Sequence, residues 1–180
     1  MQEQVKNLIK PIIVVAIIIF VLCWIIDKPL TYEDCLSYIG YSISGVTILF
    51  ILYEQWLWRY IPWNRPPVLK KHYNGVIRYT YKRVQEEKHI EITVKQTLFS
   101  VCVETKTDIN SSYTVSGIIV KECDNYILYY TYITNPNAVV QKSNPIQYGT
   151  CRMVLNNKNT ILNGKYWTSS QTVGDIEWRS

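Results

Sequence analysis

Two apolar runs of membrane-spanning length open this chain, and they constrain its fold more than any other feature. The first run covers residues 11–26 and the second covers residues 36–53. A hydrocarbon core about 30 Å thick is crossed by roughly 20 mostly apolar helical residues. Both runs therefore predict transmembrane helices, the first one together with the apolar residues that flank it.

A cleaved signal peptide is the alternative interpretation of the first run. No small-residue cleavage site follows residues 24–29, and a second apolar run begins within about ten residues. A secreted protein would not need that second span. The sequence therefore predicts a two-helix membrane hairpin over residues 1–61, followed by a proline-containing linker over residues 62–72.

The charges around the two runs predict how the hairpin is oriented. Lys6 and Lys10 precede the first run, Arg59 and Arg65 follow the second, and acidic residues dominate the connecting loop at 27–35. Lys and Arg near the ends of short spans stay in the cytoplasm. We expect both termini and the C-terminal domain on the cytoplasmic side of a cell membrane.

The second run carries a face of small and hydroxylated side chains spaced three or four residues apart. Its members are Ser37, Gly40, Ser44 and Thr47. A small-xxx-small pattern lets two helices approach closely. Two interpretations stay open: this face packs against the first helix of the same chain, or it associates with another copy.

After the linker, the apolar residues alternate with the two-residue period of β-strands. The predicted strands cover residues 74–83, 88–95, 98–107, 112–121, 126–133, 147–156, 160–167 and 173–178. Eight short strands at near-regular spacing predict a small antiparallel up-and-down barrel, similar to a lipocalin, over residues 73–180. The fold class is therefore a membrane helix pair followed by an all-β domain.

Chemistry-bearing motifs are scarce in the β domain. The chain has two histidines, five cysteines without a Cys-x-x-Cys pair, and neither a nucleophile motif nor a phosphate-binding glycine loop. Glu86-Glu87 is interpreted as a solvated turn rather than a catalytic pair. The sequence predicts no enzyme, no metal site and no cofactor.

Tyrosine and basic residues are both abundant after Pro62. Ten of the 15 tyrosines lie there, together with 15 Lys and Arg against nine Asp and Glu. Tyrosine rings can stack on bases and arginine forks can pair with phosphates, so the mixture suits a nucleotide ligand. Strand propensity and attraction to anionic lipid head groups would produce the same composition.

Several short stretches resemble the two-transmembrane β-barrel effectors, also described as STING-like, of CBASS antiphage defence. Those effectors are associated with cGAS/DncV-like nucleotidyltransferases. The matching stretches are residues 90–96, residues 128–132 with Asn135-Pro136, Gly149-Thr150 with Met153 and Leu155, residues 162–168, and Gly174 with Ile176. Together with the two spans and the linker, they extend the likeness over nearly the whole chain.

The resemblance implies an activating ligand and a mechanism. The ligand would be a cyclic dinucleotide bound by the cytoplasmic barrel, with no DNA or RNA polymer as partner. The protein would then oligomerise, and its helices would disrupt the inner membrane and kill the cell. Arginine forks and tyrosine faces suit the phosphates and bases of such a ligand. The candidate contacts are Arg78, Tyr79, Tyr130, Tyr132, Arg152 and Tyr166.

Two other functions stay open at the level of sequence. The barrel could carry a lipid or apolar metabolite, although inward tyrosines and a methionine would fill so small an interior. It could also serve as a membrane-anchored protein-interaction module without a small ligand.

Overall fold

The computed structural model describes residues 2–27, 31–60, 66–81, 84–108, 110–138, 141, 145–156 and 158–180. These residues form two compact units, Met1–Arg65 and Pro66–Ser180. The first linker residues, 62–65, and the tip of the first β-hairpin lie outside the described residues.

The first unit consists of the two predicted helices. Helix α1 is Gln2–Asp27 and helix α2 is Tyr32–Gln55, followed by a 3₁₀ turn at Leu57–Arg59. They contain stretches of 19 and 24 residues with mean hydropathies of 3.0 and 1.8. Both helices are therefore long and apolar enough to cross a membrane.

A capping box fixes where α2 begins. The Asp34 backbone N–H donates to Thr31 Oγ1, and the Thr31 backbone N–H donates to Asp34 Oδ2 at 3.1 Å. This reciprocal pair satisfies two donors that a helix start leaves without partners. Acidic residues in the first turn also suit the positive end of the helix dipole.

The second unit is a closed antiparallel barrel, which confirms the predicted fold class. Each strand pairs with the next along the chain, and β1 also pairs with β8. The strands are β1 His72–Tyr81, β2 Val84–Gln96, β3 Val101–Lys106, β4 Asn110–Glu122, β5 Asn125–Pro136, β6 Gln147–Leu155, β7 Ile161–Thr168 and β8 Val173–Arg179. All eight predicted strands are present, with ends that differ by a few residues.

The interpretation of Glu86-Glu87 as a turn is wrong. Both residues lie within β2, where Glu86 is opposite Tyr79 and Glu87 is opposite Arg78 on β1. The start of β2 is polar on both faces, so it lacks the alternation that marks a half-buried strand. Cross-strand partners on β1 hold it in the sheet instead: Tyr79 and Arg78 bond the two carboxylates.

One end of the barrel is filled and sealed. Tyr73 and Trp178 pack there with ring centroids 5.7 Å apart. The end of the linker closes over them, because the Leu69 N–H donates to Gln96 Oε1 and Gln96 Nε2 donates to the Pro67 carbonyl, both at 2.9 Å. The cavity lies towards the other end, where β1 finishes and β2 begins, and it is lined there by Tyr79 and Glu86.

Candidate ligand-binding cavity

A cavity of about 600 Å³ occupies the open end of the barrel. Every strand contributes lining residues, because inward side chains alternate along each strand. Its inner part is apolar and aromatic and its outer part is polar. The lining includes Ile77, Tyr79, Glu86, Lys88, Ile90, Thr105, Thr107, Asn110, Ser112, Tyr130, Tyr132, Thr134, Gln147, Tyr166, Thr168, Ser170, Thr172 and Ile176.

Four of the six predicted ligand contacts lie together in this cavity. They are Tyr79, Tyr130, Tyr132 and Tyr166. The rings of Tyr130 and Tyr132 are 5.7 Å apart with an interplanar angle of 43°. The prediction that these tyrosines face inward is confirmed, because they pack with or against the buried core.

Glycines on neighbouring strands make room for two of these rings. Tyr132 is opposite Gly149, where an added Cβ would lie 2.3 Å from the ring carbon Cζ. Tyr166 is opposite Gly174, where an added Cβ would lie 2.6 Å from the ring carbon Cε1. A side chain at either glycine would displace a tyrosine from its place in the cavity wall.

The cavity tyrosines are neutral hydrogen-bonding groups. Burial raises the pKa of Tyr130 and of Tyr132 well above the ordinary value, and it raises the pKa of Tyr166 to about 12. Burial also raises the pKa of the neighbouring Cys151 thiol to about 12. Near neutral pH the phenols of the inner cavity therefore carry no negative charge.

Charged side chains lie at the cavity mouth. The Tyr79 hydroxyl donates to Glu86 Oε2 at 2.6 Å, and Lys88 Nζ lies 5.7 Å from the centre of the Tyr79 ring. Burial, followed by the Glu86 carboxylate, raises the pKa of Tyr79. Among the cavity-lining residues that the structure describes, Glu86 and Lys88 are the charged ones.

A wall of hydroxyl and amide groups completes the mouth. Thr105 on β3 and Ser112 on β4 bond to each other through their hydroxyls. Their neighbours Thr107 and Asn110 lie at the turn that joins these strands. The sequence analysis did not predict this wall, nor Glu86 and Lys88 as cavity residues. A signal was available, because Glu86 and Lys88 continue the two-residue alternation of Ile90 and Ile92, which were correctly predicted to face inward.

The two predicted arginine contacts lie on the outer face of the barrel. Arg78 pairs with Glu87 at 3.0 Å and with Glu177 at 3.5 Å. Arg152 pairs with Glu122 at 3.0 Å, and its Nε donates to the Tyr129 hydroxyl at 2.8 Å. The structure thus brings the four tyrosines together around the cavity and leaves both arginines outside it.

Hydrogen bonds around Arg152 also fix the charge of its partner. The Tyr129 hydroxyl donates to Glu122 Oε1 at 2.7 Å. This bond, followed by the one from Arg152, lowers the pKa of Glu122.

Within the described part of the chain, no group of three or more His, Cys, Asp or Glu side chains is arranged to hold a metal ion.

In the helical unit, the predicted small face points away from α1. The residues of α2 that pack against α1 are on the opposite side, with Tyr38, Ser42 and Val46 buried. There, an added Cβ on Gly45 would lie 3.3 Å from Ile19 Cδ1 of α1. Gly40 has no such neighbour within 4 Å. All four small-face residues, Ser37, Gly40, Ser44 and Thr47, are exposed.

A closed barrel with a tyrosine-lined cavity, in a chain that also carries two helices long and apolar enough to cross a membrane, has the architecture of a small-ligand receptor. Residues 65–180 match the family described as Cap15, cyclic dinucleotide receptor domain. The chain is also 32% identical over 179 residues to CD-NTase-associated protein 15 of Staphylococcus schleiferi. That match covers 98% of this chain and 97% of the relative.

The resemblance to the CBASS barrel effectors is therefore confirmed. The chain belongs to the Cap15 family, and its barrel is the cyclic dinucleotide receptor domain of that family. A cyclic dinucleotide is the ligand class that this membership implies.

Proposed function

We propose that a cyclic dinucleotide binds in the cavity at the open end of the barrel. Ligand binding favours self-association of the chain through α2, and the clustered hairpins then disrupt the inner membrane and kill the cell. Both termini and the barrel lie on the cytoplasmic side, where the nucleotide is made. The observation that carries this proposal is the position of the 600 Å³ cavity within the receptor domain.

The size and lining of the cavity support a nucleotide ligand. Its volume falls in the range of about 300–1,000 Å³ that is usual for small-molecule sites. Tyr132 and Tyr166 offer ring faces on which bases can stack. Neutral phenols, threonine hydroxyls and Lys88 can donate to phosphate oxygens. The polar mouth suits this ligand better than a lipid or an apolar metabolite.

Calorimetry on the full-length protein in detergent tests the binding site. We expect Tyr132→Leu and Tyr166→Leu to weaken binding of the preferred cyclic dinucleotide about tenfold or more, because loss of one base–aromatic stack costs about 1–3 kcal/mol. Tyr148→Leu is the matched control, since Tyr148 is 64% exposed and absent from the cavity wall. Wild-type affinity in both cavity variants would contradict the proposed site.

The geometry of α2 supports a second copy of the chain as the partner of its small face. The α1 contact uses the opposite side of α2, so hairpin formation leaves Gly40 and Ser44 uncovered. The Ser37 and Thr47 hydroxyls donate to backbone carbonyls of their own helix at 3.0 and 2.8 Å. Their hydrogen-bonding needs are met without water, so the face can pack closely against a second helix in lipid.

Thermodynamic linkage couples ligand binding by the barrel to self-association of the chain. A ligand that binds the assembled receptor more tightly than the single chain shifts the population towards the assembly. Such a mechanism needs differential binding alone and requires no covalent chemistry. The receptor therefore has no need of catalytic residues.

A further inference from the structure

Glu86 places a carboxylate inside a receptor for an anionic ligand. It lies on β2 directly opposite Tyr79, and it shares the inward face of β2 with Lys88 and Ile90. A phosphodiester is repelled by a carboxylate at close range. Glu86 must therefore face a part of the ligand that carries hydrogen-bond donors.

The bonding of Glu86 differs from that of three glutamates on the outer face. Glu87, Glu104 and Glu122 each form an ion pair with an arginine or a lysine. None of the ion pairs in the described part of the chain includes Glu86, which accepts one hydrogen bond from the Tyr79 hydroxyl. A carboxylate offers about four acceptor positions, so Glu86 keeps acceptor capacity directed at the cavity.

We propose that Glu86 recognises a guanine base of the cyclic dinucleotide and so determines the base specificity of the receptor. Guanine presents two neighbouring donors, N1–H and the N2 amino group, that a carboxylate can accept together. Adenine presents an acceptor beside its single amino group, and uracil has one N–H between two carbonyls. This inference rests on the proposed function, because it assigns the base contact of the same cavity.

The surroundings of Glu86 suit this arrangement. Tyr79 holds the carboxylate at 2.6 Å, which fixes its orientation at the mouth. Lys88, two residues along the same strand, lines the same cavity and offers an ammonium group to a phosphate of the ligand. The Tyr166 ring lies within the same cavity and can stack on the base. Base, phosphate and stacking contacts are thus available within one side of the barrel.

Calorimetry on the full-length protein in detergent tests the inference with three ligands: cyclic di-guanylate, cyclic di-adenylate and cyclic di-uridylate. We expect cyclic di-guanylate to bind at least tenfold more tightly than the other two, as a carboxylate that accepts two donors rejects bases lacking them. Cyclic di-inosinate, which lacks the N2 amino group, should lose a large part of that preference.

Glu86→Gln isolates the role of the carboxylate. Its amide oxygen can still accept from Tyr79, but its amino group opposes the guanine donors. We expect cyclic di-guanylate affinity to fall tenfold or more, while affinity for cyclic di-adenylate changes less than threefold. Glu104→Gln is the control, since Glu104 pairs with Lys95 on the outer face. Tyr79→Phe removes the supporting hydroxyl and should keep a preference for guanine.

The possible failures are distinguishable. If none of the cyclic dinucleotides binds the wild-type protein, the proposed function itself is wrong. If they bind but Glu86→Gln leaves the base preference unchanged, the cavity function stands and the guanine inference is wrong. If Glu86→Gln weakens all three ligands equally, Glu86 contacts ribose or merely positions Tyr79, which also overturns the inference.

Discussion

At the scale of single residues, chemically similar candidates end in different surroundings. Tyr132 and Tyr166 face the cavity, and burial raises the pKa of each phenol. Arg78 and Arg152 lie on the outer face, where carboxylates already occupy their guanidinium groups. An arginine that is already paired outside the barrel is not placed to bind a ligand inside it.

The role of Arg78 and Arg152 as ligand contacts stays a prediction, and substitution of each arginine tests it. For a ligand held within the cavity, we expect Arg78→Ala and Arg152→Ala to keep affinity for the preferred cyclic dinucleotide within about twofold of wild type, since neither residue lines the cavity. Calorimetry measures the affinity of each arginine variant, and the Tyr132→Leu variant, whose affinity should fall, serves as the comparison. A tenfold loss in either arginine variant would place part of the ligand on the outer face.

At the scale of the structural elements, β2 and α2 each use two faces for different purposes. The inward face of β2 supplies Glu86 and Lys88 to the cavity, and its outward face carries the Glu87 partner of Arg78. One face of α2 packs on α1, and the other presents small residues to the surroundings. In β2 the inward face is the one that meets a ligand, and in α2 the face that does not pack on α1 is the one available for a partner.

Bulk at the small face of α2 should block assembly. We expect Gly40→Leu combined with Ser44→Leu to reduce nucleotide-dependent propidium iodide entry into cells at least tenfold, because leucine keeps two helices apart at this face. The hairpin should still form, since Gly40 has no neighbour within 4 Å. Ile39→Leu, which adds no bulk at another exposed position of α2, is the control.

The same double variant must still bind the cyclic dinucleotide, with the lower affinity of the single chain that linkage to assembly implies. Full dye entry with the two leucines present would show that this face is not the assembly surface. Complete loss of ligand binding would show that the substitutions act on the barrel, and the loss of dye entry would then have another cause.

At the scale of the whole molecule, the chain forms two compact units, and the proposed mechanism assigns ligand sensing to the barrel and membrane disruption to the helices. The barrel has its own buried core, and residues 66–71 seal one of its ends through Leu69 and Gln96. The helices have their own packing contacts through Tyr38, Ser42 and Val46. Each unit therefore contains the interactions that stabilise it, and the proposed mechanism requires both.

Separation of the units should separate binding from toxicity. We expect the fragment 66–180 to retain binding of the cyclic dinucleotide, without the gain that assembly through α2 adds, and to leave cells impermeable to propidium iodide, because it lacks a membrane-length helix. Full-length protein with the nucleotide is the positive control. Dye entry caused by the fragment alone would contradict a role for the helices in membrane damage.

Local patterns in the sequence were sufficient for the elements of this fold. Long apolar runs predict helices that can span a membrane, and two-residue alternation with turn residues predicts eight strands, since both signals depend on neighbouring residues alone. The same alternation placed Tyr130, Tyr132 and Tyr166 on inward faces. The start of β2 escaped prediction because polar residues occupy both of its faces there.

Tertiary structure decided which inward residues form a site. Register brings Glu86 opposite Tyr79 across the first hairpin and seats Tyr132 over Gly149 on the next strand. It also places Arg78 and Arg152 among carboxylates on the outer face. The sequence determined which residues of each strand share a face. The side chains that they contact come from neighbouring strands, so only the tertiary structure determined those contacts.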